Sequence, residues 1–211
     1  MPPPRSTCIG YKGAQTLYYA RQQAEKIGLG LNTFVTINFA LTNIAPWEAV
    51  SAFGRLRMNH FNKWIKRPQK GKGQPCDPTY YYYFENERDD IAYEEIGEGL
   101  PHNVHVHWYL HVPPSRAHHF DGMVYEWLDY IAGDISLAGA VKIDRVTKDS
   151  GLRSYAIKGA TKPVAKHFGA DHRQAPQGLI IGRRTGTSTN IGPSARRATD
   201  RALGIRRKRA A

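Results

Sequence analysis

The chain has 211 residues, 41% hydrophobic and 23% charged, with 30 Lys+Arg against 18 Asp+Glu and a formal net charge of +12. Such a composition excludes wholesale disorder, and the length suits one hydrophobic core with an appendage. Residues 1–150 carry 16 basic and 16 acidic side chains, while 151–211 carry 14 basic and two acidic ones, so the surplus lies at the end and points to a polyanion, most often nucleic acid, with a merely solvated tail as the alternative.

The opening Met-Pro-Pro-Pro-Arg-Ser has no apolar region of a secretory signal, and no apolar run approaches the roughly 20 residues of a membrane span. Two cysteines, Cys8 and Cys76, build neither a disulfide framework nor a zinc cluster. A soluble, cytoplasmic protein without a membrane partner is expected. A helix-compatible stretch from Gln15 to Ile27 ends at Gly28-Leu29-Gly30, and Phe34 to Phe39 reads as a strand from its β-branched and aromatic content. Pro46 suits the first turn of a helix running to about Lys66, decorated by Arg55, Arg57, Lys63, Lys66 and Arg67. A Lys/Gly/Pro-rich loop follows to Pro78.

Tyr80 to Phe84 is a second strand, followed by an acidic stretch from Glu85 to Glu98 with seven carboxylates and one Arg. Val104 to Val112 alternates strictly and gives a third strand. Val124, Trp127, Leu128 and Ile131 then recur at helical spacing, with Asp121 as the expected N-cap. Ala140 to Val146 reads as a fourth strand, a short helix runs from about Leu152 to Pro163, and beyond Gly178 no apolar period persists. The pattern predicts an α+β domain with a largely antiparallel sheet.

On the third strand, Val104, Val106, Trp108, Leu110 and Val112 face one side and His105, His107, Tyr109 and His111 the other. One face is expected to be core and the other a row of histidines. Two strand residues apart is roughly 7 Å, so His105 and His107 can converge on one ion, whereas His111 is roughly 13 Å beyond His107. A His-x-His is common on solvent faces; a carboxylate from Glu85 or Glu87, which share a strand face, strengthens the metal reading. Nitrogen and oxygen donors suit Mn²⁺, Mg²⁺ or Zn²⁺, and the lack of a thiolate disfavours structural zinc. Further on, Tyr155, Lys158 and Lys162 stand at i, i+3 and i+7, on one face of a helix. A phenol with a pKa of about 10 is a poor nucleophile unless a cation favours the phenolate. Packing is the plainer role for Tyr155 when taken alone.

His-hydrophobic-His on a strand, followed about fifty residues later by Tyr-x-x-Lys, resembles the HUH superfamily of single-strand DNA nicking enzymes, specifically rolling-circle replication initiators of plasmids and phages; Phe34-Val35-Thr36-Ile37-Asn38 resembles that family's first, structural motif. The resemblance covers residues 34–162. It implies a central antiparallel sheet of about five strands with flanking helices. It also implies site-specific nicking and joining through a 5′-phosphotyrosine on Tyr155, Lys158 beside it, and a Mn²⁺ or Mg²⁺ ion on His105, His107 and a polar residue of the neighbouring strand, taken as Glu87 with Glu85 as the alternative. Implied partners are single-stranded or hairpin origin DNA, a host helicase and polymerase, since no P-loop is present, and a second copy in a homodimer. Lys162, Lys166, Arg183, Arg184, Arg206, Arg207, Lys208 and Arg209 are the expected DNA contacts. The corresponding organisation is an N-terminal helical extension (1–30), a nicking domain (31–178) and a flexible basic tail (179–211). Alternatives are a single-tyrosine transposase of the same superfamily and a non-catalytic module that stacks bases on Tyr80–Phe84.

Overall fold

The structure is a computed structural model that describes residues 2–71, 73–86, 103–133, 139–146 and 152–205. In chain order the elements are β1 (Arg5–Ser6), α1 (Tyr11–Lys26), β2 (Thr33–Asn38), α2 (Ala49–Arg55), α3 (Asn62–Lys66), β3 (Tyr80–Asn86), β4 (Val104–Leu110), α4 (Ala117–Ala132), β5 (Val141–Arg145), α5 (Leu152–Tyr155), α6 (Lys162–His167), β6 (Ile180–Ile181), β7 (Thr185–Thr187) and α7 (Pro193–Ala202). Five strands form one antiparallel sheet in the order β5-β2-β4-β3-β7, and β1 pairs separately with β6. The fold is therefore α+β with a five-stranded antiparallel sheet flanked by helices, the class that the strand pattern predicts and the strand number that the resemblance implies.

The alternation of β4 sends Val104, Val106, Trp108 and Leu110 to one face, where they meet Val35 and Ile37 of β2 and Tyr80, Tyr82 and Phe84 of β3. Helices α2, α3 and α4 cover this face with Phe53, Trp64, Ile65, Phe120, Val124, Trp127 and Leu128. Trp108 sits at its centre, with the Phe61 ring edge-on at 4.8 Å. The predicted helix from Pro46 to Lys66 is continuous, but Leu56–Phe61 forms a π-helical turn between α2 and α3. The burial pattern supplies the reason: Leu56 and Phe61 are both buried, and residues five apart share a face only where the helix widens to about one more residue per turn. At its C-terminal end the fully buried Arg116 donates to the carbonyls of Trp64, Ile65 and Gly73, satisfying orphan acceptors of the last turn.

The other face differs from the sequence-based expectation. It is a second core, not a solvated histidine row: every residue of β4 is buried. Tyr81, Tyr83 and Tyr109 pack there beneath Ala14, Leu17, Ala20 and Ala24 of α1 and beneath Ala156, Ile157, Ala160, Ala165 and Phe168. Helix α1 is thus an integral layer of the domain and no mere extension; it ends at Lys26, and beyond it Gly28, with a φ of 74°, allows Leu29 N–H to reach back to Ala24 O.

Three further departures have local causes. Asp121 is not a cap, because α4 begins at Ala117 after Pro114–Arg116; its carboxylate takes both oxygens to Arg145. The helix expected over 152–163 breaks at Tyr155, and Lys162 opens a separate helix with Pro163 in its first turn. Residues 180–202 are folded instead of forming a flexible tail: β7 pairs with β3 at the sheet edge, and α7 is pinned to α1 by Lys26–Asp200 at 3.0 Å and Gln23–Thr199 at 2.7 Å. Among the described residues no helix is long and apolar enough to cross a membrane.

Candidate metal centre

Strand pairing places the candidate ligands. In the sheet His105 lies opposite Glu85 on one side and Asn38 on the other, while His107 lies opposite Tyr83 and Thr36. Because alternate strand residues share a face, Glu85, His105 and His107 all project toward the α1 side. Glu85 Oε2 lies 3.2 Å from His105 Nε2, 3.1 Å from His107 Nε2 and 2.9 Å from Lys158 Nζ. Lys158 Nζ in turn donates to Tyr155 Oη at 2.8 Å and stands 4.3 Å from the centre of that ring. The Tyr155 and His107 rings lie 6.1 Å apart. One hydrogen-bonded chain therefore connects both histidines, the carboxylate, the ammonium and the phenol.

The turn carrying Lys158 is held from two sides: Ile9 N–H donates to Gly159 O, and Ala175 N–H donates to Lys158 O. The N-terminal segment thus fixes the residue that bridges Tyr155 to Glu85. Helical i, i+3 spacing predicts that these two side chains meet; they do so although α5 ends at Tyr155, because the chain continues as a tight turn through residues 156–159. Lys162, expected on the same helix face, is exposed on α6 and outside this group.

Burial governs the electrostatics. For Glu85, 1% exposed, burial is the largest influence and works against ionisation; hydrogen bonds from His105 and His107, with the fields of His107 and Lys158, outweigh it and hold the carboxyl well below the usual range. Burial depresses His107, only partly offset by Glu85, so its imidazole is neutral at pH 7. Burial also acts to lower Lys158, but its bonds to Tyr155 and Glu85 overcome that and raise it, so it remains an ammonium. Burial pushes the nearby Tyr83 phenol well above 10. Tyr83 therefore stays protonated, leaving Tyr155, half-buried, as the accessible phenol beside the cluster.

The donor set fits a divalent cation. The candidate ligand atoms of Glu85, His105 and His107 all lie within 4.8 Å of one another, and two imidazole nitrogens with one carboxylate suit first-row divalent ions. Glu85 Oε1 is buried without a hydrogen-bond partner among the described residues, leaving a carboxylate oxygen for which a cation is the natural partner. This buried group can hold a metal ion. Glu85 is the carboxylate that joins the histidines among the described residues; Glu87 lies outside them. His111 is elsewhere, its Nδ1 bonded to Gly30 O at 2.8 Å.

The basic residues divide. Lys166 and Arg183 are exposed, as is Lys162. Arg184 is a correction: it is 5% exposed, with its guanidinium donating to Ser6 Oγ, Ser6 O, Phe84 O, Gln177 O and Gly178 O, so it clasps the backbone next to Glu85 and is not presented to DNA. Arg206, Arg207, Lys208 and Arg209 lie outside the described residues. The sequence reading treats the Thr36 strand as a structural motif only, yet Thr36 Oγ1 lies 3.1 Å from His107 Nδ1 and Phe34 stacks on that ring at 5.4 Å; the β2–β4 register was the missing signal.

Comparison of the chain with protein-family models, with curated proteins and with solved structures gives no match in any of the three.

Proposed function

We propose that the chain is a metal-dependent, single-tyrosine endonuclease of the HUH type that nicks and rejoins single-stranded DNA, acting as a rolling-circle replication initiator. The observation that carries this reading is the 2.8 Å and 2.9 Å pair of contacts by which Lys158 joins the Tyr155 phenol to the Glu85–His105–His107 group. In the proposed reaction Tyr155 Oη attacks a backbone phosphorus, the phenol proton passes to solvent, and the bond from phosphorus to the 3′-oxygen breaks. The products are a 5′-phosphotyrosine and, after that oxygen takes up a proton, a free 3′-OH. Lys158, kept cationic by its two partners, stabilises the developing phenolate and holds it toward the cluster. A Mn²⁺ or Mg²⁺ ion on Glu85, His105 and His107 would neutralise charge on the scissile phosphate. Of the strand tyrosines on this face, Tyr81, Tyr83 and Tyr109 are all buried, and Tyr83, beside Glu85, is held protonated, which supports Tyr155 as the single nucleophile.

The base-stacking alternative is disfavoured by a specific observation: Tyr80, Tyr81, Tyr82, Tyr83 and Phe84 are each at most 5% exposed, so none offers a ring to a nucleotide. As an initiator the protein would act on a hairpin origin, rely on host helicase and polymerase, and use a second copy for the closing transfer. The test is incubation with labelled hairpin DNA and Mn²⁺ followed by a denaturing gel. Wild type should give a covalent adduct and Tyr155→Phe none. No adduct on any origin-like or transposon-end hairpin, or equal adduct from Tyr155→Phe, overturns the assignment; an adduct on transposon ends only moves it to the transposase class.

A further inference from the structure

We propose that Thr36 is a positioning residue of the metal centre, its hydroxyl serving His107 as hydrogen-bond donor in the metal-free protein and as acceptor once a divalent ion is bound. The proposal rests on the metal-dependent reading above and concerns how that site is loaded.

The His107 ring is fixed on every side. Phe34 stacks on it with planes 8° apart and centres 5.4 Å apart, and the Tyr83 ring lies 5.0 Å away on the neighbouring strand. So confined, the imidazole directs Nε2 to Glu85 Oε2 at 3.1 Å and Nδ1 to Thr36 Oγ1 at 3.1 Å. A neutral imidazole has one N–H and one lone pair. An ionised carboxylate only accepts, so in the metal-free protein the proton is on Nε2, and the Nδ1 lone pair needs a donor, the Thr36 hydroxyl. Nε2 is the nitrogen that faces Glu85 and so would ligate an ion; its lone pair would then go to the ion, and the proton would be on Nδ1 and would need an acceptor, which the same hydroxyl oxygen would supply. In the exchange one proton leaves Nε2 for solvent and one from solvent adds at Nδ1; the ring is neutral before and after.

Among side-chain and backbone partners, few could do this. A carbonyl or carboxylate would satisfy only the loaded tautomer, and an ammonium only the metal-free one. Placement follows from sheet register, since Thr36 is the cross-strand neighbour of His107. Among the described residues His105 shows no equivalent hydroxyl: its cross-strand neighbour Asn38 turns its side-chain oxygen to Ala40 N–H. The two ligands are thus unequal, with His107 the one whose tautomer the fold supports in both states. This assigns a chemical task to a strand motif otherwise read as structural.

The test compares wild type, Thr36→Val, which keeps the shape and removes the hydroxyl, and Thr36→Ser, which keeps the hydroxyl. Mn²⁺ affinity is measured by calorimetry, and the His107 tautomer by long-range ¹H–¹⁵N spectra without metal and with Zn²⁺ as the diamagnetic probe. Thr36→Val should bind Mn²⁺ about ten-fold more weakly, the low end of the range for removing a hydrogen-bond partner of a metal-ligating histidine, with Thr36→Ser close to wild type and the wild-type proton moving from Nε2 to Nδ1 on loading. Equal affinities for wild type and Thr36→Val, or a tautomer that does not change, overturn the proposal. Metal binding without nicking by wild type sinks the nuclease reading alone and leaves the Thr36 comparison decisive; no metal binding by wild type overturns both.

Discussion

Replacing Glu85 by Gln should destabilise the metal-free protein, although it removes a charge from the interior. Glu85 is 1% exposed and its Oε2 accepts from His105, His107 and Lys158 at 3.2, 3.1 and 2.9 Å. Gln keeps the shape and one acceptor oxygen, but removes the charge that faces the Lys158 ammonium, itself 9% exposed, at 2.9 Å. Removing one partner of a buried ion pair costs about 3–5 kcal/mol. The retained oxygen places this change at the lower end, about 3 kcal/mol, or about 6–12 °C in melting temperature for a chain of this size. The assay is urea unfolding in EDTA at pH 7 of wild type, Glu85→Gln, Lys158→Met and the double variant. Because the double variant removes both charges, it should be more stable than the sum of the single effects predicts, by about 1–3 kcal/mol. The sign with pH follows from the depressed Glu85 carboxyl: its stabilisation is fully present above the unfolded value of about 4.3 and is lost as pH falls toward the lower folded value. Wild type and Glu85→Gln should therefore converge in acid. A Glu85→Gln protein as stable as wild type at pH 7, or strictly additive single effects, would refute the reasoning.

Arg184→Met should cost about 3 kcal/mol by urea unfolding, since it deprives five buried or part-buried acceptors of their donor, and should leave the salt slope of DNA binding unchanged. Gly186→Ala should cost about 1–3 kcal/mol in the same assay, because a Cβ there would lie 2.6 Å from Tyr82 Oη and 2.7 Å from its ring. The pair Lys162→Ala and Lys166→Ala, both exposed, should lower the slope of log binding constant against log salt on single-stranded DNA by about 0.7 for each phosphate that the lysine neutralises in wild type, measured by fluorescence anisotropy; an unchanged slope removes both from the DNA surface.

Strands were legible where one physical signal dominated. The alternation from Val104 to Leu110 and the aromatic run at Tyr80–Phe84 gave β4 and β3 to within a residue or two. What alternation cannot reveal is how the second face is covered. That face reads in sequence as a row of histidines with Tyr109 among them, yet the small residues Ala14, Ala20 and Ala24 let α1 approach closely enough to bury it. Pro46 announced a helix running to about Lys66, but nothing in that signal revealed the π turn, which follows from the buried pair Leu56 and Phe61, five apart, sharing a face. At the site, His105, His107, Tyr155 and Lys158 could be singled out by type and spacing. The choice of Glu85 needed the β3–β4 register, which sets Glu85 opposite His105; two carboxylates of equal chemistry on one strand face cannot be ranked without knowing where pairing occurs.

Charge was the least faithful guide, and the reason is chemical. A count of Lys and Arg treats each as a solvated cation, but a guanidinium with five donors also satisfies buried carbonyls. Arg116 closes the end of the helix that runs from α2 through α3, Arg184 fastens the N-terminal strand to β3 beside Glu85, and Arg196 lies 4.7 Å from the Tyr19 ring on α1. Two of these three fall within the basic final 61 residues, so part of the surplus there holds the fold together around the proposed metal centre. Arg183 and Arg184 make the contrast sharpest. Adjacent in sequence and identical in type, they differ because Arg183 is exposed and donates to Thr185 O within its own turn, whereas Arg184 precedes β7 on its inward side and meets carbonyls from three separate segments. Position in the connection between β6 and β7, which no count of charges records, is therefore what separates an exposed cation from one committed to the interior.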